Sequence, residues 1–179
     1  MLGDLGHDVP SLVFSIADLD YNRWDGHRLG DMDRYGLIKT DKQYRVLKVK
    51  TAYYAVQNVV SVFDDTLERM ADAPLEVQCD AEVACFAYRK KGTGQPLLTL
   101  WTKGDVPSDD NSTLKATVRL RQATFQDPVW VDLISGGIFE LPPAMLATDG
   151  GSVAFKDIPL YDAPIVIVDR TVVMKANAW

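Results

Sequence analysis

The stretch that decides the fold reads TLKATVRL and spans residues 113–120. Apolar residues fall at every second position from Leu114 to Leu120, and polar or charged residues lie between them. Successive side chains of a β-strand point to opposite faces of a sheet, so this pattern predicts an antiparallel strand with one buried face. The stretch therefore indicates a protein built from packed sheets.

Short apolar segments surround this strand, and turn-forming residues separate them. The turn Gly136-Gly137 is expected to join two neighbouring strands in a hairpin. About eight short strands at this spacing predict a mainly β fold, an antiparallel β-sandwich over residues 71–179. The other predicted strands are 75–79, 83–89, 96–103, 128–133, 138–141, 153–155, 165–168 and 171–175.

Residues 1–70 follow a different pattern. The short, mostly apolar run Pro10–Ala17 predicts a strand that is buried on both faces. A polar stretch from Asp18 to about Gln43 then predicts a long loop, and loops of this length are usually functional or disordered. A strand, a long loop and a helix cannot close a core by themselves, so this unit needs neighbours.

The helix of this unit is predicted from residue 50 onward, where apolar residues recur every three or four positions as far as Met70. Thr51 is a candidate N-cap, and a start near Asp41 is the alternative. The pair Asp64-Asp65 is unfavourable at a helix C-terminus. We therefore expect either that the helix ends near Phe63 or that the two acids begin a separate turn.

The composition narrows the class of protein. The chain has 179 residues, too few for a complete (β/α)₈ barrel of about 250. Its formal charge of −6, without a basic run, argues against nucleic acid and anionic membranes as partners. No apolar stretch reaches membrane-spanning length and no secretory signal is visible, which leaves the compartment unknown.

The cysteines and histidines predict no cofactor and no metal site. Cys79 and Cys85 are too few for a disulfide framework, and we interpret them as buried free thiols rather than as a bridge. His7 and His27 do not lie at a metal-ligand spacing from either cysteine. We expect His27 to be a surface residue rather than an acid or base.

Six segments of the chain carry a resemblance to a known family. The segment 52–59, AYYAVQNV, resembles the last helix of glycoside hydrolases with a (β/α)₈ catalytic domain. It is preceded by GLIKTD at 36–41 and followed by VFDD at 62–65. Residues 12–17 then resemble the eighth barrel strand, and the long loop resembles the eighth βα-loop. VWVDLISGGIF at 129–139 and FKDIPLYDAPIVI at 155–167 are similar to the C-terminal β-sandwich that follows many of these barrels.

The resemblance implies a supporting role rather than catalysis. Enzymes of this group are retaining and use two glutamates, at the ends of the fourth and seventh barrel strands. The glutamates of this chain fall on the C-terminal part of the helix or in the sandwich, so no catalytic residue is predicted. The chain would be an accessory domain, inactive alone, whose partner is the rest of the barrel in a parent protein or another chain. The four glutamates are Glu68, Glu76, Glu82 and Glu140.

The alternative is a stand-alone carbohydrate-binding or scaffold sandwich without catalysis. The candidate sugar-binding residues lie in the long loop, because the loops after barrel strands face the substrate. Trp24 and Tyr21 offer aromatic faces to a sugar ring, or else anchor the loop. Asp18 and Asp20 could accept hydrogen bonds from sugar hydroxyls, although capping of turns is the interpretation that we favour.

Trp101 and Trp130 lie inside strand patterns, so we interpret them as packing residues rather than as a carbohydrate platform. The predicted strand and helix of residues 1–70 would expose apolar surface if no barrel covered them. We therefore expect either a homodimer or disorder of residues 1–45.

Overall fold

The computed structural model describes residues 1–19, 35–41, 43–104 and 112–174. Antiparallel strands dominate these residues, which confirms the mainly β class. None of the described helices is long and apolar enough to cross a membrane. In chain order the elements are α1 (Leu2–Leu5), β1 (Ile38–Thr40), β2 (Val46–Val49), α2 (Thr51–Val62), β3 (Leu67–Arg69), β4 (Leu75–Gln78), β5 (Val83–Lys90), β6 (Pro96–Thr102), β7 (Leu114–Arg121), β8 (Pro128–Asp132), β9 (Ile138–Glu140), a 3₁₀ helix (Pro143–Met145), β10 (Leu146–Asp149), β11 (Ser152–Leu160), β12 (Ile165–Asp169) and α3 (Arg170–Met174).

Two antiparallel sheets face each other and form the predicted sandwich. One has the strand order β10-β11-β7-β4, and the other has the order β3-β5-β6-β12-β8-β9. The core between them includes Val118, Phe155 and Ile167, all fully buried. In the described part of the chain the two sheets have ten strands where about eight were expected, because the short strands β3 and β10 lie at sheet edges and carry little periodic signal.

A helical layer covers the outer face of the six-stranded sheet. Leu2 of α1, Val62 of α2 and Val173 of α3 pack with Val166 and Val168 in a second core. The central strand β12 is therefore buried at all five positions, because it is covered by the other sheet on one face and by helices on the other.

The hairpin predicted at Gly136-Gly137 is confirmed, since β8 and β9 pair in antiparallel register across it. The strand predicted at 171–175 is wrong, because Arg170–Met174 forms the helix α3. The run of β-branched residues there favours a strand locally, but Val172 and Val173 are buried in the second core as part of a helix. Tertiary packing therefore overrides the local preference.

The helix α2 ends at Val62, so the periodicity beyond that point is not helical. Asp64 Oδ1 accepts hydrogen bonds from the backbone N–H and the hydroxyl of Thr66, which confirms that the acidic pair begins a separate turn. Leu67 then belongs to β3, which pairs with β5. The apolar periodicity of the sequence runs through both α2 and β3, because the turn between them is only a few residues long.

The buried strand predicted at Pro10–Ala17 is wrong. Residues 11–15 have no regular secondary structure, and Leu12 and Phe14 are 97% and 71% exposed. A parallel bridge joins Ala17 to Ile38, so one neighbour is present where a buried strand needs two and a cover on each face. Part of the predicted loop is instead strand, because Ile38–Thr40 pairs with β2.

Candidate functional site

Helix α2 is fixed to the sandwich at the turn between β8 and β9. The Asn58 side-chain amide donates a hydrogen bond of 3.1 Å to the carbonyl oxygen of Leu133. Gly136, with a φ of 75°, lies so close that a Cβ added to it would be 3.0 Å from Asn58 Oδ1. Glycine is favoured here for two reasons: the backbone is left-handed, and Asn58 leaves little room for a Cβ.

A cleft of about 370 Å³ opens on the sandwich near the same turn. Trp130 and Asp132 lie two residues apart on β8 and share the face that looks toward the other sheet, and Tyr161 follows β11. Phe139 supports the indole ring of Trp130, with ring centroids 4.7 Å apart. Trp130 Nε1 is buried and has no hydrogen-bond acceptor among the described residues. The residues that line the cleft are Thr113, Trp130, Asp132, Ile134 and Tyr161.

The carboxylate of Asp132 organises this cleft. The Tyr161 hydroxyl donates to Oδ1 at 2.7 Å, and the Ser135 hydroxyl donates to Oδ2 at 2.6 Å. Burial raises the pKa of Asp132, but hydrogen bonds from Ser135, Tyr161 and the backbone of Ile134 outweigh it and lower the pKa below its usual value. Asp132 is therefore ionised at neutral pH.

The same contact fixes the protonation of Tyr161. Burial raises the pKa of the phenol, and the hydrogen bond to Asp132 raises it further. The phenol is thus a hydrogen-bond donor to an ionised acceptor, an arrangement that holds its ring in place. Both oxygens of Asp132 are already engaged, so the cleft suits binding better than proton transfer or nucleophilic attack.

Neither a family model nor a curated protein sequence matches this chain. The resemblance to glycoside hydrolases therefore depends on the quoted segments alone.

The four glutamates are all engaged in surface ion pairs. Glu68 pairs with Arg89 at 3.0 Å, and Glu82 pairs with Lys103 at 2.5 Å. Each glutamate is well exposed, so none is in the buried environment that tunes a catalytic acid. The other two pairs are Glu76 with Arg121 and Glu140 with Arg170.

The predicted sugar-binding residues are described only in part. Asp18 Oδ1 accepts the backbone N–H of Gly36 at 2.9 Å and contacts Lys50 Nζ at 2.5 Å. It thereby connects residues on both sides of the predicted long loop. Asp20, Tyr21 and Trp24 lie outside the described residues, as does His27, and their roles stay predictions.

The cysteines are free, as expected, and Cys85 lies on a strand that packs in the sandwich core. Burial raises the pKa of the Cys85 thiol to about 12. Among the described residues, no group of three or more His, Cys, Asp or Glu side chains could hold a metal ion.

Sequence analysis missed the cleft because it treated Trp130 as a packing residue. Trp130 does pack beside the inter-sheet core, but it also forms a wall of the cleft. The available signal was Asp132, a charged residue at an inward-facing strand position two residues after a tryptophan. A charge at such a position needs a partner, which Tyr161 supplies.

Proposed function

We propose that this chain is the accessory β-sandwich of a glycoside hydrolase and supports a (β/α)₈ barrel that holds the catalytic glutamates. In this role the helical layer on the sandwich contacts the barrel, and the chain alone does not cleave glycosidic bonds. The observation that carries the proposal is the uneven distribution of exposed apolar side chains along the chain.

Sixteen large hydrophobic residues are exposed among those that the structure describes. All but Leu114, Ile134 and Phe139 fall in the first sixty residues. The sandwich thus covers its own apolar residues, whereas the N-terminal unit does not. Contiguous apolar surface beyond a few hundred Å² is rare on monomers and marks contact with another protein surface. We use the name N-terminal apolar face for the following exposed side chains, whichever way they point: Leu12, Phe14, Ile16, Tyr44, Val46, Leu47, Tyr54 and Val60.

The hairpin of β1 and β2 supports this assignment. Val46 and Leu47 are consecutive residues of β2, so they point to opposite faces, and they are 61% and 59% exposed. An isolated two-stranded hairpin is marginally stable in water unless something packs against it. A second protein surface at this hairpin would supply that packing.

Helix α2 shows the same two-sided pattern. Val59 and Val62 are buried against the six-stranded sheet. Tyr54 and Val60 are about half exposed on the same helix. A helix with exposed apolar residues beside its buried stripe offers contact area to a second layer, which fits a position between the sandwich and a barrel.

The proposal is tested first by light scattering on the isolated chain. The wild type should self-associate through its uncovered apolar face, and the triple variant Leu12→Ser, Phe14→Ser, Ile16→Ser should be monomeric with the same melting temperature. Leu114→Ser is the matched control outside the face and should behave as the wild type. A wild type that stays monomeric at every concentration contradicts a docking role for the face.

The barrel itself is tested at the level of the gene. The reading frame upstream should encode seven βα units, with one glutamate after the fourth strand and one after the seventh. A stop codon directly upstream, with no barrel encoded by a neighbouring gene, contradicts the proposal.

The cleft at Trp130 favours a second candidate function, carbohydrate binding by the sandwich. A sugar ring presents an apolar C–H face that matches an aromatic side chain, while its hydroxyls need polar partners such as a tyrosine or a carboxylate. Titration with millimolar cello- and xylo-oligosaccharides should shift the indole Nε1–H resonance of Trp130. The shift should weaken in Tyr161→Phe and persist in Tyr88→Phe, and an unmoved resonance in the wild type contradicts binding.

A further inference from the structure

A second cleft, of about 380 Å³, lies where three parts of the sandwich meet. These are the turn between β5 and β6, the segment 122–126 after β7, and the C-terminal end of β12. The walls of the cleft are polar, and Asp169 lies beneath it. The polar wall residues are Thr93, Gln95, Gln122, Thr124 and Gln126. Neither the docking role nor the Trp130 cleft uses any of these residues.

The unusual feature of this cleft is the carboxylate of Asp169, which is only 1% exposed. Its Oδ1 accepts the backbone N–H groups of Gln126 and Asp127 at 2.8 and 2.9 Å. Its Oδ2 is buried and has no hydrogen-bond partner among the described residues. A buried acceptor without a donor is costly, and such atoms in native proteins call for an explanation.

The charges around the cleft favour a neutral donor over a cation. Arg89 lines the cleft, so a bound ammonium group would lie beside its positive charge. Hydroxyl groups can donate to a carboxylate and exchange hydrogen bonds with the glutamine and threonine side chains of the walls.

The cleft also continues sideways. A neighbouring cleft of about 360 Å³ shares Ala123 and Thr124 with it and extends along the turn between β10 and β11. Asp149 and Ser152 provide further polar groups there. The combined space suits a ligand that is longer than a single ring.

We propose that this cleft binds a neutral polyhydroxylated ligand, a sugar or short oligosaccharide, one of whose hydroxyls donates to Asp169 Oδ2. The amide walls bind the remaining hydroxyls. Asp169 is only 1% exposed, so we infer that a small displacement of the cleft wall accompanies binding.

The test uses the whole chain and backbone-amide NMR. Glucose, xylose and their linear oligosaccharides, each at millimolar concentration, should shift the amide resonances of Gln126 and Asp127 with saturation. Asp169→Asn preserves an oxygen for the two backbone N–H groups and replaces the unpartnered acceptor with an N–H donor. Loss of a hydrogen bond to a charged acceptor should weaken binding by about ten- to a hundredfold.

Two further variants make the result decisive. Gln126→Ala removes only an exposed side chain and should also weaken binding, which supports the proposal even if Asp169→Asn fails to fold. Tyr161→Phe alters the Trp130 cleft and should leave these shifts unchanged. The proposal is overturned if no sugar gives saturable shifts, if Gln126→Ala and a folded Asp169→Asn both bind like the wild type, or if methylammonium shifts the same amides and sugars do not.

Discussion

Substitution of Gly136 by alanine tests whether helix α2 and the sandwich are locked together at the turn between β8 and β9. A left-handed backbone costs a residue with a Cβ about 1–2 kcal/mol. The new methyl group would also lie 3.0 Å from Asn58 Oδ1 and 3.1 Å from its Nδ2. Asn58 must then move, and the hydrogen bond of its amide to Leu133, 3.1 Å long, weakens or breaks.

Loss of that hydrogen bond adds about 1 kcal/mol, so Gly136→Ala should lower the free energy of unfolding by about 2–3 kcal/mol in total. In an Asn58→Ala background the amide is absent and only the backbone cost remains. The two substitutions should therefore be coupled by about 1 kcal/mol in a double-mutant cycle. Urea denaturation followed by circular dichroism measures all four free energies.

Gly92→Ala is the matched control. Gly92 has a similar φ of 83°, but an added Cβ would have no atom within 4 Å. Gly92→Ala should lower the free energy of unfolding only by the backbone cost of about 1–2 kcal/mol, and this decrease should be the same in the Asn58→Ala background. If Gly136→Ala and Gly92→Ala cost the same and neither is coupled to Asn58, the close packing of helix and turn is refuted.

Two further predictions concern the protonation of the partly buried groups Cys85 and Asp132. The pKa of Cys85 is raised by burial to about 12, so its thiolate fraction at pH 8 is about 10⁻⁴. Iodoacetamide should therefore label Cys85 in the native protein about a thousandfold more slowly than a peptide thiol. Rapid labelling of Cys85 in the native protein, located by mass spectrometry, would contradict this. The pKa of Asp132 is lowered in the folded state, so its stabilising effect is present above its unfolded pKa of about 3.8 and is lost as the pH falls through the folded value. Urea midpoints between about pH 5 and pH 2 should therefore fall more steeply for the wild type than for Asp132→Asn, and equal slopes would show that Asp132 has no lowered pKa.

The sandwich was predictable from sequence because its strands alternate clearly. Within the stretch 113–120, Ala116, Val118 and Leu120 point toward the other sheet, and β7 occupies 114–121. The outer helical layer was less predictable, because burial of a strand on both faces removes the alternation. β12 is apolar at four consecutive positions from Ile165, and nothing in that run shows that one side faces helices rather than a sheet.

The N-terminal unit and the clefts were harder to predict for different reasons. An apolar run such as 10–17 predicts burial, but the described part of the chain leaves Leu12 and Phe14 exposed. The Asp169 cleft brings together residues more than seventy positions apart. That Asp169 Oδ2 lacks a hydrogen-bond donor among the described residues depends on the backbone geometry, which no local pattern encodes.

Hydroxyl-radical footprinting addresses the docking role of the N-terminal apolar face most directly. Oxidation of Leu12, Phe14 and Ile16 is measured by mass spectrometry in the 179-residue chain produced alone and in the protein isolated from its source cells. We predict strong oxidation in the chain alone, protection in the native protein, and a native assembly heavier than 19.9 kDa that contains the barrel. A native protein of 19.9 kDa with the same oxidation at all three side chains would contradict the proposal.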